Sequence, residues 1–176
     1  MEPTAKSNSI NLGLYLGATL AAIIVLIYAI NLDLMVKWWL GTGLLILIVA
    51  FGVISAKKAK TILGGFISFK DAFVNYFITI AIGTAISSLI SIIIFSFVDP
   101  EAASYLNEQV LLITKQSMER FGAPVEVVEK AIEEASQKNN YAIGNQLQSY
   151  VFQLAFYAVI GLVVALIVKK TDKSQA

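Results

Sequence analysis

The sequence contains neither cysteine nor histidine among its 176 residues. Disulfide bridges, thiolate or imidazole metal sites, haem bound through histidine, and catalysis by cysteine or histidine are therefore excluded. Charge is scarce as well, because only 14% of the residues are Asp, Glu, Lys or Arg and the net charge is +1. A net charge this small also excludes a nucleic-acid partner bound through a strongly basic surface.

Apolar side chains dominate what remains. Hydrophobic residues make up 57% of the chain, and the mean hydropathy is +0.75. Soluble globular domains contain about 45–50% apolar and about 25% charged residues. The composition therefore predicts an integral membrane protein and excludes both a soluble enzyme domain and a disordered tail.

Four uncharged runs account for most of this apolarity, with lengths of 26, 19, 27 and 30 residues. A helix needs about 20 apolar residues to cross a hydrocarbon core of about 30 Å. We predict a single all-α membrane domain with four transmembrane helices, at residues 10–31, 38–56, 72–98 and 150–168. The fourth span is shorter than its run because Asn and Gln amides between residues 139 and 148 belong at the interface. The first run is expected to be an uncleaved helix, since no small-residue cleavage site follows it.

Capping signals support two of these boundaries. Ser68 and Asp71 have the spacing of a capping box at the start of the third span, directly after the turn signal Gly64-Gly65. Asp99-Pro100 combines a helix cap with a proline suited to the first helical turn. A new helix is therefore expected to begin where the third span ends.

Residues 99–138 are predicted to form a helical hairpin. Apolar residues recur at helical spacing on both sides of Gly122, including Leu106 and Ile113 before it and Val128 after it. One interpretation is a docking surface for a partner or a lid over an outer vestibule. The other, which we favour, is an amphipathic pair that lies on its own bundle or on lipid head groups, because periodicity indicates a buried face without indicating what covers it.

Lysine placement predicts the orientation. Eight lysines fall in the two tails and in the connection between spans two and three, whereas residues 99–138 hold eight acidic and four basic residues. Short connections rich in Lys and Arg stay in the cytoplasm. We therefore expect a multi-pass protein of the cytoplasmic membrane, with both termini cytoplasmic and the hairpin outside. The lysines are Lys6, Lys57, Lys58, Lys60, Lys70, Lys169, Lys170 and Lys173.

Small and polar residues recur at four-residue steps within the spans. They are either the packing faces of the bundle or the wall of a narrow polar pathway, and we favour packing because such residues commonly hold membrane helices together. The candidate residues are Gly13, Gly17, Asn75, Thr79, Gly83, Ser87, Ser91, Gln153, Tyr157 and Gly161.

The predicted spans contain no Asp, Glu, Lys or Arg, which argues against an ion-coupled transporter. Asp33 and Asp99, at the outer ends of helices, could form a catalytic carboxylate pair only if they met at membrane depth. Their positions in a turn and in a cap argue against that. We therefore expect no catalytic residue, no cofactor and no metal.

Several short motifs together resemble a known family. They are the sequence Gly65-Phe66-Ile67-Ser68-Phe69-Lys70-Asp71-Ala72-Phe73, the end of the third span at Val98-Asp99-Pro100, an acidic amphipathic loop, and a last apolar helix before a lysine tail. This arrangement is similar to the bacterial membrane proteins of domain-of-unknown-function family 4199. The resemblance implies a small four-helix membrane protein of unknown activity and supplies no site residues.

Two function classes follow from these features. The first is a non-enzymatic accessory or interaction subunit, in contact with membrane lipid and with a membrane protein partner of unknown identity. The alternative is a small homo-oligomeric transporter or channel whose path is lined by Thr79, Ser87, Ser91 and Gln153.

Overall fold

The computed structural model describes residues 4–170, and within this range the chain is helical with short connections. Four of its helices are long and apolar enough to cross a membrane, which confirms the all-α fold and the predicted number of spans. These helices are α1 (Ala5–Ile30), α2 (Trp38–Ile62), α3 (Phe69–Ile92) with a π-helical continuation over Ile93–Val98, and α6 (Ile143–Val168). Lys173, one of the eight lysines that predict the orientation, lies outside the described residues.

Two further helices, α4 (Pro100–Arg120) and α5 (Val125–Ser136), occupy the acidic segment. Gly122 adopts a positive φ of 76° directly after α4, a conformation that glycine adopts without steric cost. The chain turns there and α5 packs against α4. A 3₁₀ turn over Leu32–Val36 joins α1 to α2 and also contacts α4.

The helices extend beyond the spans predicted from uncharged runs. Helix α2 continues to Ile62 through Lys57, Lys58 and Lys60, and α6 begins seven residues before the predicted residue 150. Helix α3 begins at Phe69, with Ser68 accepting a hydrogen bond from the backbone N–H of Asp71 as its cap. Charges are costly only in hydrocarbon, so a helix can continue past the membrane surface.

Helix α3 is the centre of the bundle, because it packs against α1, α2 and α6. Its side chains Tyr76 and Ile80 are fully buried, together with Leu16 from α1 and Ala165 from α6. A helix with neighbours on three sides needs small or apolar residues around most of its circumference, which explains why the polar residues of α3 after Asp71 are hydroxyls and amides.

The two ends of the bundle differ. One end, here called the lysine end, holds the connection at residues 63–68 and the last described residues, Lys169 and Lys170. There the Lys60 ammonium donates a hydrogen bond to the backbone oxygen of Val168 (2.9 Å), and Ile67 pairs with Lys170 in an isolated antiparallel bridge.

The opposite end, here called the α4–α5 end, has a small core of its own. Phe95, from the π-helical continuation of α3, contacts the rings of Tyr28 and Tyr141, with ring centroids 6.3 and 4.9 Å away. Ala103 and Leu106 of α4 complete this core. The first turns of α4 are therefore anchored on the membrane helices.

Candidate functional site

A cluster of buried polar side chains joins three helices in the half of the bundle nearer the lysine end. The Ser9 hydroxyl lies 2.6 Å from Oδ1 of Asn75 and 2.9 Å from the Ser55 hydroxyl. The Thr79 hydroxyl lies 2.8 Å from the Ser55 hydroxyl. Ser9, Ser55 and Thr79 are fully buried and Asn75 nearly so. The cluster is buried and uncharged, and its side chains bond to one another. It therefore serves to hold α1, α2 and α3 together.

Of these four residues, Asn75 and Thr79 were predicted candidates, and Ser9 and Ser55 were missed. A signal for Ser55 was present in the sequence. It belongs to a run of small residues on α2, with Gly52, Ala56 and Ala59, at the three- and four-residue spacing of a packing face.

The predicted glycines lie where helices approach closely. A Cβ atom added to Gly13 would lie 2.9 Å from Cβ of Ile82, and one added to Gly17 would lie 2.5 Å from Cδ1 of Ile86. A Cβ atom on Gly83 would lie 2.5 Å from a methyl carbon of Leu16. These three glycines let α1 and α3 approach closely. None of the three positions has room for an added methyl group.

Tyr76 fills the space between α2 and α6. Its ring lies between Gly52 on one edge and Gly161 on the other, where added Cβ atoms would lie 2.6 and 2.7 Å from ring carbons. The Tyr76 hydroxyl has no hydrogen-bond partner among the described residues. Gly161 was a predicted candidate, whereas Gly52 and Tyr76 were not.

A polar cavity of about 400 Å³ lies between α3 and α6, on the α4–α5 side of this packed layer. The predicted residues Ser87, Ser91 and Gln153 line it. Its other lining residues are Ile24, Ser88, Asn140, Tyr141, Gln146, Ser149 and Tyr150.

Hydrogen bonds hold the walls of this cavity. The Ser91 hydroxyl donates to Oε1 of Gln146 (2.8 Å), whose amide nitrogen donates to the backbone oxygen of Tyr141 (2.7 Å). The Tyr150 hydroxyl donates to the backbone oxygen of Ala81 (3.0 Å). Helices α3 and α6 are thereby joined across the cavity.

A second cavity of about 210 Å³ adjoins the first and shares Ile24, Ser87 and Gln153 with it. Buried Tyr157, another predicted candidate, lines this inner cavity together with Thr84. The structure thus divides the predicted polar residues into two groups. Asn75 and Thr79 belong to the closed cluster, and Ser87, Ser91, Gln153 and Tyr157 line cavities.

Two aspartate–tyrosine pairs attach α4 to α1 and to the 3₁₀ turn that follows α1. Asp99 accepts a hydrogen bond from the backbone N–H of Ala102 (2.9 Å) and another from the Tyr28 hydroxyl (2.9 Å). These bonds, the backbone bond most, lower the pKa of Asp99 below its usual value. The Tyr105 hydroxyl donates to Asp33, and this hydrogen bond raises the pKa of Tyr105.

Asp33 and Asp99 therefore each have a tyrosine partner of their own, and their hydrogen bonds connect helices. Among residues 4–170, no three acidic side chains lie together in a group that could hold a metal ion.

Comparison with family models assigns the chain to a family, because one model matches most of its length. The family model described as "Protein of unknown function (DUF4199)" matches residues 11–170. The chain belongs to the DUF4199 family. No curated protein and no solved structure matches it.

The DUF4199 match covers α1 from residue 11, the other three membrane helices in full, and the acidic segment between the third and the last. It includes two of the motifs on which the resemblance was based, Gly65 to Phe73 and Val98-Asp99-Pro100. In this DUF4199 protein both motifs are helix starts, because Ser68 caps α3 and Asp99 caps α4.

Proposed function

We propose that this protein is a non-enzymatic accessory or interaction subunit of the bacterial cytoplasmic membrane. Its lysine end would face the cytoplasm, with both termini, and α4 and α5 would form an extracytoplasmic hairpin. The positive-inside rule supports this orientation, since Lys57, Lys58, Lys60, Lys169 and Lys170 all lie at the lysine end.

The observation that carries the interaction role is the apolar surface of α4 and α5. Phe121 at the turn is 89% exposed and Val125 is 71% exposed, and Leu112 and Val127 are about half exposed. Leu112 and Phe121 lie about 9 and about 22 Å along the helix from Leu106, the last α4 residue in the core of the α4–α5 end, at about 1.5 Å per residue. Phe121 and Val125 flank the same turn, and large exposed apolar side chains grouped in this way outside a membrane indicate a protein contact.

The expected partner is a different membrane polypeptide. The segment at residues 99–138 carries eight acidic and four basic residues, so it attracts anionic lipid head groups poorly. An apolar turn with acidic flanks instead fits a partner surface that is apolar at its centre and basic at its rim.

Site-specific photocrosslinking tests this role. A photoreactive phenylalanine analogue at Phe121 or Val125, in intact cells, is expected to give one discrete adduct with a different polypeptide. The same analogue at Glu133, exposed on α5, is the matched control and is expected to give no such adduct. The Val125→Asp variant should abolish the adduct formed from Phe121. Adducts with lipid alone, or with copies of this chain alone, would overturn the proposal.

The second candidate is a small homo-oligomeric transporter or channel, which the polar cavity at the α4–α5 end favours. Of its predicted path residues, Ser87, Ser91 and Gln153 line that cavity, whereas Thr79 belongs to the closed cluster. Flux of a polar solute through liposomes containing the purified protein, blocked by Ser87→Phe, would establish this function in place of the accessory role.

A further inference from the structure

We propose that the α4–α5 half of the bundle binds an amphiphile with an uncharged, hydrogen-bonding head group. The head group would occupy the polar cavity between α3 and α6, and the hydrocarbon chain would lie in an apolar groove between α1 and α2. This inference concerns a ligand site inside the membrane domain. It does not depend on whether α4 and α5 contact a partner protein.

The polar cavity selects for hydrogen bonding without charge. Its described lining consists of hydroxyls and amides with one aliphatic side chain, and it includes no Asp, Glu, Lys or Arg. An ionised head group would find no counter-charge among these side chains, whereas an uncharged hydroxyl would find hydrogen-bond partners. Its volume of about 400 Å³ lies within the range of about 300–1,000 Å³ that is typical of ligand sites.

Several lining groups are available to a ligand. Ser91, Gln146 and Tyr150 are already hydrogen-bonded to protein groups and hold the walls. By contrast, the hydroxyls of Ser87 and Ser149 make no hydrogen bond within residues 4–170. Ser87 is half-buried and Ser149 is exposed, so both hydroxyls are accessible and can bind the oxygens of a head group.

An apolar groove of about 460 Å³ supplies the place for a chain. Eight residues of α1 and α2 line it: Ile23, Leu26, Ile27, Trp39, Leu40, Gly43, Leu44 and Leu47. Gly43 has open space beside it, with no atom within 4 Å of an added Cβ. The two helices are therefore separated in this region, in contrast to their close packing near the lysine end.

The inner cavity lies between these two sites and has wall residues in common with each. It shares Ser87 and Gln153 with the polar cavity and Leu44 with the apolar groove. The lining changes from hydroxyls and amides in the polar cavity, through a mixed lining in the inner cavity, to apolar side chains in the groove. This order matches a molecule with a polar head group and an apolar chain. The packed layer with Tyr76 between Gly52 and Gly161 lies toward the lysine end, so the space is a site closed on that side.

Photolabelling of the purified full chain in mild detergent tests this inference. The probe is a monoacylglycerol with a diazirine in its acyl chain, and it is expected to label α1 and α2 peptides saturably. Unlabelled monoacylglycerol should compete, whereas the lysophosphatidic acid of the same chain length and the methyl ester of the same fatty acid should compete at least tenfold more weakly. The comparison with lysophosphatidic acid tests whether a charged head group is disfavoured. The comparison with the methyl ester tests whether the hydroxyl groups of the head group are needed for binding.

Variants on two helices locate the two parts of the site. Gly43→Leu fills open space in the groove, and Ser87→Val removes a hydroxyl from the cavity wall; each is expected to weaken labelling at least tenfold. Their matched controls are Ala50→Leu, exposed on α2 outside the groove, and Thr19→Val, whose hydroxyl bonds the backbone oxygen of Tyr15 in its own helix. Both controls should label as the unmodified chain does.

Three outcomes would overturn the inference. They are labelling that does not saturate, labelling that is equal in both site variants and both controls, and stronger competition by the anionic lipid than by monoacylglycerol. Because Gly43→Leu enters open space, a loss of labelling in a variant that elutes as a folded species reports the site itself.

Discussion

Tyr76 is the largest fully buried side chain of the described residues, and glycines on two different helices make room for its ring. In lipid, helices gain little from hydrophobicity when they associate, so close van der Waals contact has to hold them together. The flat ring between Gly52 and Gly161 provides such contact on both edges. Individual atoms at these positions therefore decide whether α2, α3 and α6 can pack together.

Gly52→Ala is expected to destabilise the bundle by about 1–3 kcal/mol, because the added methyl group would lie 2.6 Å from the Tyr76 ring. Gly41→Ala, on the same helix, is the control, since no atom lies within 4 Å of its added methyl group. It should be neutral or slightly stabilising. Unfolding of the detergent-solubilised variants measures both, and equal effects at the two sites would contradict the packing argument.

Tyr76→Phe is expected to leave stability unchanged or to raise it by about 1 kcal/mol. The hydroxyl that it removes is buried without a hydrogen-bond partner among the described residues, and such a group costs about 1–3 kcal/mol. Tyr76→Ala, which also removes the ring, should cost about 3–5 kcal/mol. Equal losses in both variants would mean that the hydroxyl is satisfied in the membrane.

At the scale of helices, α4 is positioned by side chains at its start. Asp99 caps its first turn and also accepts the Tyr28 hydroxyl from α1, and Asp33 accepts the hydroxyl of Tyr105. The π-helical turns at Ile93–Val98 place Ile94 and Phe95 in the same small core. Helix α4 is thus attached through hydrogen bonds to carboxylates as well as through apolar contact.

The stability that Asp99 contributes is expected to depend on pH. Its carboxylate form is favoured by the hydrogen bonds from Ala102 and Tyr28, so its pKa is lower in the folded chain than in the unfolded chain. Its contribution is therefore present above about pH 4, the usual value, and is lost as pH falls through the lower pKa of the folded state.

Comparison with Asp99→Asn measures this effect, because Asn also caps helices but cannot ionise. The stability advantage of the unmodified chain should be constant above about pH 5 and shrink below about pH 4. Glu108→Gln, exposed on the same helix, serves as the control for general charge effects. Parallel pH profiles for the unmodified chain and Asp99→Asn would refute the role of the carboxylate.

The sequence predicts the helices well and their contacts less well. Uncharged runs locate all four spans, and Ser68 and Asp99 mark two helix starts, because capping depends on residues close in the chain. The candidate residues on α3 looked like one face, but each four-residue step turns about 40° beyond a full circle, so Asn75 and Ser91 differ by about 160°. They therefore meet different neighbours, which only the tertiary structure defines.

The whole molecule is unevenly packed. Near the lysine end the helices are joined by the closed polar cluster and by glycine contacts, whereas toward the α4–α5 end three adjoining cavities separate them. Because loosely packed regions are where conformational change costs least, any opening of the bundle is expected at the α4–α5 end.

The orientation of the whole molecule can be tested directly because the chain has no cysteine. A single cysteine at Gly122 is expected to react with a membrane-impermeant maleimide in intact cells. A single cysteine at Lys58 should react only after the cells are permeabilised. Both positions are exposed in the structure, so burial does not confound the comparison. The reverse pattern would invert the proposed topology.

The contacts at the lysine end also bear on how the protein is made. Lys60 and Ile67 bind backbone groups of Val168 and Lys170, residues more than a hundred positions later in the chain. During synthesis, the first three membrane helices therefore enter the membrane before their last partner exists. Until α6 has been synthesised, the contact of Gly161 with the Tyr76 ring cannot form, so the packed layer is complete only when the last helix is present.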